Sequence, residues 1–333
     1  MFCKSKLFYY LCGIRTCQAS LQCSNRRVVF FIYLMKVHFS KTCFTPQQHI
    51  TLLKDRGLSI SDEPKAVSYL TNIGYFRLSA YFYPLLEFPK EQHRYKPDAT
   101  FKKVMDMYRF DRKLRLLLFN EIEKIEVAIR SCITNYASLN FGNLFWLTDK
   151  SFFSNEDKYQ ATLAVIDKEI QNSKEDFITH FNETYLEAYP PAWMIAEIIP
   201  FGSLAHIYMN LKDNGLKKKI AQHFGLQAPA FVSWLIVLGG LRNLCCHHAR
   251  MWNRELPISP TEPKHMKFGW IDSSRTDKRR MYYRICMIRY FLYTVSPNNS
   301  FKDKLKTLLA AYPNIDTVAM GFPSDWESED IWK

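Results

Sequence analysis

The chain has 333 residues, 47% of them apolar and 23% charged, with only 11 glycines and a formal charge of +13. That is enough apolar material for one large core or two small ones, and the few glycines and scarce alternating Val/Ile/Thr runs argue against an all-β or doubly wound α/β protein. The basic balance favours polyanionic partners, nucleic acid above all.

The first 34 residues differ from the rest. They hold Lys4, Lys6, Arg15, Arg26 and Arg27 and no acid, so they supply +5 of the charge and leave +8 for the remainder. Cys3, Cys12, Cys17 and Cys23 also fall here, at spacings that match no zinc pattern. The runs "LFYYLCGI" and "VVFFIYLM" are too short to span a bilayer, and no clean small-residue cleavage site follows the basic start. Residues 1–34 are therefore expected to be a dispensable upstream extension, disordered or a mis-set start, with Met35 opening the globular chain. The five later cysteines are scattered and read as reduced thiols, which predicts a cytoplasmic protein without membrane attachment.

Helix signals follow in sequence. "TPQQHITLLKDRG" offers Thr45 as N-cap, Pro46 in the first turn, Gln48 to complete a capping box and Gly57 as stop. "SDEPKAVSYLTNIG" repeats the scheme, capped by Ser61 or Asp62 and stopped by Gly74. A short aromatic helix, "YFRLSAYF", ends near Pro84, and residues 87–99 read as a loop. From Thr100 to Leu139 an apolar stripe runs through Val104, Tyr108, Leu114, Leu117, Leu118, Ile122, Ile125 and Ile129, predicting one long bundle helix with Glu126 four residues ahead of Arg130. Further helices are expected at about 155–172 and 174–188, on either side of a break at Pro200–Gly202, and just before Gly225. Three more are expected from about Ala230 through Trp252, across 276–295 and across 301–312. The pattern is all-α: a helical subdomain at 35–99 leading into a larger bundle at 100–333.

One stretch concentrates chemistry: "GGLRNLCCHHARMWNRE", Gly239 to Glu255. Cys245, Cys246, His247 and His248 are consecutive, and helical neighbours point about 100° apart, so they cannot converge on one tetrahedral ion; no metal site is expected. Adjacent thiol and imidazole groups diverge too strongly for a Cys–His nucleophile pair. Arg242, Asn243 and His247 form a better set. Asn243 and His247 are four apart, an imidazole takes or gives a proton near neutral pH, and a guanidinium clamps a phosphate with two hydrogen bonds. Those are the parts needed for metal-free RNA cleavage by 2′-hydroxyl attack.

"LRNLCCHHARMWNRE" also resembles the Arg-Asn-x-x-x-His motif of HEPN-fold ribonucleases, and the chain is more narrowly similar to the Abi-like abortive-infection family of the AbiD/AbiF type. Supporting stretches are "YLTNIGYFRLSAYFYP", "EIEKIEVAIRS", "PPAWMIAEIIPFGSLAHIY" and "MGFPSDWESEDIW", so the resemblance covers roughly residues 42–332. The alanine usual in the family's run is Cys246 here. The resemblance implies a HEPN-type helical bundle and a phage-defence or toxin-like endoribonuclease that needs no metal or other cofactor. In it Arg242 binds phosphate, Asn243 assists and His247 is the base or acid. One motif per chain implies a homodimer that brings two Arg/His pairs into a single cleft. Two rivals stand beside this reading: a non-catalytic RNA-binding adaptor on the same bundle, and a toxin restrained by a partner protein or small RNA.

Other residues are secondary candidates. His248 also satisfies a looser form of the motif, with Glu255 or a neighbouring helix as its expected partner. Glu197, on an otherwise apolar helix, is expected to line the cleft and steady Arg242 or His247, and Arg130 is a similar candidate. The run Arg275, Lys278, Arg279, Arg280, Arg284 and Arg289, interleaved with Tyr282, Tyr283 and Tyr290, has the look of an RNA-backbone face, with Arg279, Arg280 and Arg284 as its contacts; the alternative is a solvated basic helix whose tyrosines turn to the core. Lys217, Lys218 and Lys219 read as plain surface.

Overall fold

A computed structural model of the chain describes residues 18–23, 26–31, 38 and 42–333. The chain divides into two units, residues 1–49 and 50–333. In the first, β1 (Gln18–Cys23) and β2 (Arg26–Phe31) pair antiparallel, with Gln18 opposite Phe31 and Cys23 opposite Arg26. The segment expected to lack structure thus carries a hairpin; the rest of residues 1–34 lies outside the described residues. The capping box forms as the spacing predicts: the Gln48 amide donates to Thr45 Oγ1 at 3.2 Å, and the Thr45 amide donates to Gln48 Oε1 at 2.8 Å. It opens α1 (Pro46–Asp55).

The second unit is mainly helical, with isolated bridges such as Ser59 to Thr100 and a long irregular stretch between residues 249 and 280. α2 (Glu63–Ile73) is capped by Asp62, which accepts from the Lys65 amide, and α3 (Tyr75–Phe82) follows directly. α4 (Phe101–Phe141) is the axis of this unit: 41 residues, about 60 Å, opened by the Thr100 hydroxyl and closed by Gly142 in the left-handed region. Its predicted stripe is buried except at Tyr108 and Leu117, which are half-buried. α3 packs on it, so the boundary placed by sequence at 99/100 falls inside one compact unit.

Around that axis lie α5 (Glu156–Asn172), α6 (Asp176–Thr184), α7 (Ala192–Ile198), α8 (Phe201–Asn210), α9 (Asn214–His223), α10 (Ala228–Cys246), α11 (Met281–Val295) and α12 (Phe301–Ala310). Pro200 separates α7 from α8 where expected. α10 is, among the described residues, the one helix long and apolar enough to cross a membrane; here it packs against α8, α9 and α4, with Phe231, Trp234, Leu238 and Leu241 buried.

α11 departs from its sequence reading. Every residue from Met281 to Leu292 is buried, so the helix is enclosed on all sides. Its tyrosines turn inward: the Tyr282 hydroxyl donates to Glu329 and accepts from Trp332 Nε1, which locks the C-terminal tail onto it.

Candidate active site

The motif sits where α10 stops. Sequence reading carried this helix to Trp252, but it ends at Cys246. His247 caps it with its amide bonded to the Asn243 carbonyl, and His248 takes a left-handed φ of 55°. The His248 amide donates to the Cys245 carbonyl at 3.1 Å and the Ala249 amide to the Leu244 carbonyl at 2.9 Å, the paired closure of a Schellman turn. A position that usually takes glycine is occupied here by histidine, at a backbone cost of about 1 kcal/mol.

The surroundings hold that turn in place. The Arg77 guanidinium donates to the His248 carbonyl at 2.9 Å, and Arg115 donates to the Ala249 carbonyl at 3.2 Å. Beneath them lies Asp111 of α4, fully buried. Its Oδ1 accepts the amides of Met251 at 2.9 Å and Trp252 at 2.6 Å, while Oδ2 accepts the Tyr81 hydroxyl at 2.7 Å and pairs with Arg115 at 2.5 Å. One carboxylate therefore satisfies four donors drawn from α3, α4 and the chain leaving the motif. Burial and the adjoining carboxylate keep the Tyr81 phenol well above its ordinary range, so it remains a donor.

Arg242 is held from another side. Its Nε lies 3.5 Å from Glu126 Oε2, while the side chain stays 40% exposed. Glu126 also accepts from Arg130 Nη2 at 2.6 Å, and Arg130 donates onward to the carbonyls of Ala196 and Ile199 at the end of α7. The chain Arg242–Glu126–Arg130 thus ties α10, α4 and α7 together and leaves the Arg242 head facing solvent. Replacing Glu126 with alanine removes the one carboxylate that pairs, among the described residues, with buried Arg130 and should cost about 1–3 kcal/mol in urea denaturation. An unchanged midpoint would mean that the two α7 carbonyls hold Arg130 unaided.

The structure therefore places Arg242, Asn243 and His247 together at one helix end, the last two exposed, with Arg130 one step behind through Glu126. Glu197 is not among them. It is exposed on α7 in a groove with Glu169, Ser173 and Phe177, and Glu126 fills the role expected of it. His248 does not pair with Glu255, which instead binds Arg279 at 2.5 Å. The basic run divides between surface and core: Arg275 and Arg279 are exposed and ion-paired, Arg280 is half-buried, and Arg284 and Arg289 are buried. Arg284 is only 2% exposed and donates to the carbonyls of Lys278, Arg280 and Ile258, because a guanidinium on a buried helix must find acceptors inside. Arg280 reaches the Ala319 carbonyl, Arg275 pairs with Asp325, and Tyr282, Tyr283 and Tyr290 are core residues.

Cys132, Cys245 and Cys286 are buried, Cys246 is half-buried and Cys43 exposed. Desolvation pushes the Cys245 thiol up to about 12, which makes it a poor nucleophile at neutral pH. Among the described residues no three His, Cys, Asp or Glu side chains converge as a metal site would require.

Asp111, Arg115, Tyr81 and Arg77 were not singled out in the sequence, and Glu126 was read only as the partner of Arg130, a pairing the structure contains. Asp111 and Arg115 do show the acid-first spacing of four that marked Glu126 and Arg130, and that was the available signal.

Fold and site together define an all-α protein whose long central helix supports an exposed Arg-Asn-x-x-x-His turn. The family model of Abi-like proteins matches residues 68–253, more than half of the chain, and the chain belongs to this family, which is associated with abortive infection. No curated protein and no solved structure matches it.

Proposed function

We propose that this protein is a metal-independent endoribonuclease of the HEPN type, acting in the cytoplasm in abortive infection or a toxin-like defence system. The observation that supports it most directly is that the end of α10 carries an exposed histidine and a partly exposed arginine, with Glu126 3.5 Å from the arginine and buried Asp111 anchoring the backbone that leaves the turn. An exposed imidazole and guanidinium on an anchored turn are suited to proton transfer and phosphate stabilisation.

In this reading His247 accepts the proton of a ribose 2′-hydroxyl, and that oxygen attacks the adjacent phosphorus. Arg242 stabilises the charge gathering on the phosphoryl oxygens, and Asn243 orients the strand. The bond from phosphorus to the 5′-oxygen breaks, and the leaving oxygen takes a proton from an acid. One chain carries one such histidine, so a second copy supplies the acid, and the working unit is a homodimer. The products are a 2′,3′-cyclic phosphate and a 5′-hydroxyl.

The test is to incubate purified protein with RNA in excess EDTA and identify the fragment ends. Cleavage that persists and leaves cyclic phosphate ends is expected. Activity lost in EDTA and restored by magnesium or zinc would sink the mechanism, and RNA bound but never cut, with or without phage infection, would establish the adaptor reading instead.

A further inference from the structure

At the opposite end of α10 from the motif, a groove of about 620 Å³ opens between the end of α9 and the strand of chain at 264–267. Its floor is apolar, formed by Leu226, Ala228, Pro229 and Met266, and its rim carries Lys218, His265 and Lys267, with Lys264 beside them.

The rim is built rather than incidental. Gln227 clamps the strap with both ends of its amide: Nε2 donates to the His265 carbonyl at 2.7 Å, and Oε1 accepts the Lys264 amide at 3.1 Å. From beneath, the buried Tyr290 hydroxyl accepts the Lys267 amide at 3.0 Å and donates to the Gly225 carbonyl at 2.7 Å. Gly225 has a φ of +71°, and a Cβ there would come within 2.7 Å of Lys267 Cβ, so the two walls meet closely only because this residue is glycine. Two side chains thus pin a cationic strap opposite the cationic face of α9.

The charges there are uncompensated. Lys218, Lys264 and Lys267 form no ion pair among the described residues; Lys267 lies instead over the Phe268 ring at 5.2 Å. Nearby carboxylates are committed elsewhere, Glu262 to Lys278 at 2.5 Å and Asp213 to the first turn of α9 and to Asn140. Lys217 and Lys219 of α9 also form no ion pair among the described residues and add to the charge, whereas Arg275, Lys278 and Arg279 have carboxylate partners. Exposed lysines without carboxylate partners beside an apolar trough give the groove a positive potential that attracts a polyanion.

We propose that this groove is a docking site for single-stranded RNA, with lysines on backbone phosphates and a base or sugar against the apolar floor. It extends the ribonuclease reading and rests on RNA being the ligand. α10 has 19 residues, which puts the groove about 27 Å from the motif, so it grips the strand several nucleotides from the cut. Lys218, which reads as plain surface in the sequence, is one of its contacts.

The experiment uses full-length His247→Ala protein and a labelled, unstructured 20-nucleotide RNA, with affinity measured across a salt series. Combined Lys218→Ala, Lys264→Ala and Lys267→Ala changes are expected to weaken binding about tenfold or more and to lower the salt slope by about 2, the release from three phosphates of a single strand. Control changes at exposed Lys150, Lys168 and Lys304 should do neither, and melting temperatures should match. Affinity and slope unchanged by the groove changes, or reduced equally by the controls, overturn the proposal. The same three changes in protein with His247 intact should slow cutting of the long RNA but not of a tetranucleotide. If the intact protein cuts neither RNA, the cleavage reading fails while the binding result still decides the groove.

Discussion

His247→Ala is expected to reduce RNA cleavage by about 10²- to 10⁴-fold, the usual contribution of one positioned acid or base, while leaving the fold and RNA binding intact. The side chain is exposed and its amide, not its ring, closes the helix, so the change in unfolding free energy should stay within about 0.5 kcal/mol. Arg242→Ala should cost a similar 10²- to 10³-fold through lost stabilisation of the phosphoryl charge. Arg242→Lys should recover little, because an ammonium keeps the charge but not the two-pronged geometry. Single-turnover cleavage of a labelled RNA by each variant, alongside urea denaturation, separates these effects. Variants as active as the parent would remove this turn from the chemistry altogether.

The second large effect is structural. Asp111→Ala should destabilise the protein by about 3–5 kcal/mol, because it leaves Arg115 as a buried charge without its partner and strips the Met251 and Trp252 amides of their acceptor. Asp111→Asn keeps one oxygen for those amides and should lose less. The Asn variant should still fold at low temperature with reduced cleavage, since the turn carrying His247 is moored through the same carboxylate. Urea midpoints within about 1 kcal/mol of the parent for the alanine variant would show that Arg77 and the Schellman bonds hold the turn by themselves.

Much of the fold could be read from local rules. Thr45, Asp62 and Thr100 begin helices where their side chains bond the third residue onward, and the apolar stripe of α4 announced its buried face. The misreadings have physical reasons. The end of α10 was placed too late because His248 occupies the left-handed position where glycine or asparagine is the usual signal. The helix α11 looked like a basic face because sequence shows where an arginine is anchored and not where its head goes. Arg284 sends that head to three carbonyls inside the molecule. For the site, Arg242, Asn243 and His247 were visible as a spacing, but Glu126 and Asp111 become partners only when α4 lies against the end of α10, a contact between residues more than a hundred positions apart.

The α10 helix has a consequence for control. Its middle is the apolar centre of the bundle and its end carries Arg242, Asn243 and His247, so in the proposed ribonuclease the site could not be loosened without loosening the core. On that reading, control would fall to abundance, to pairing of copies, or to something laid over the exposed end.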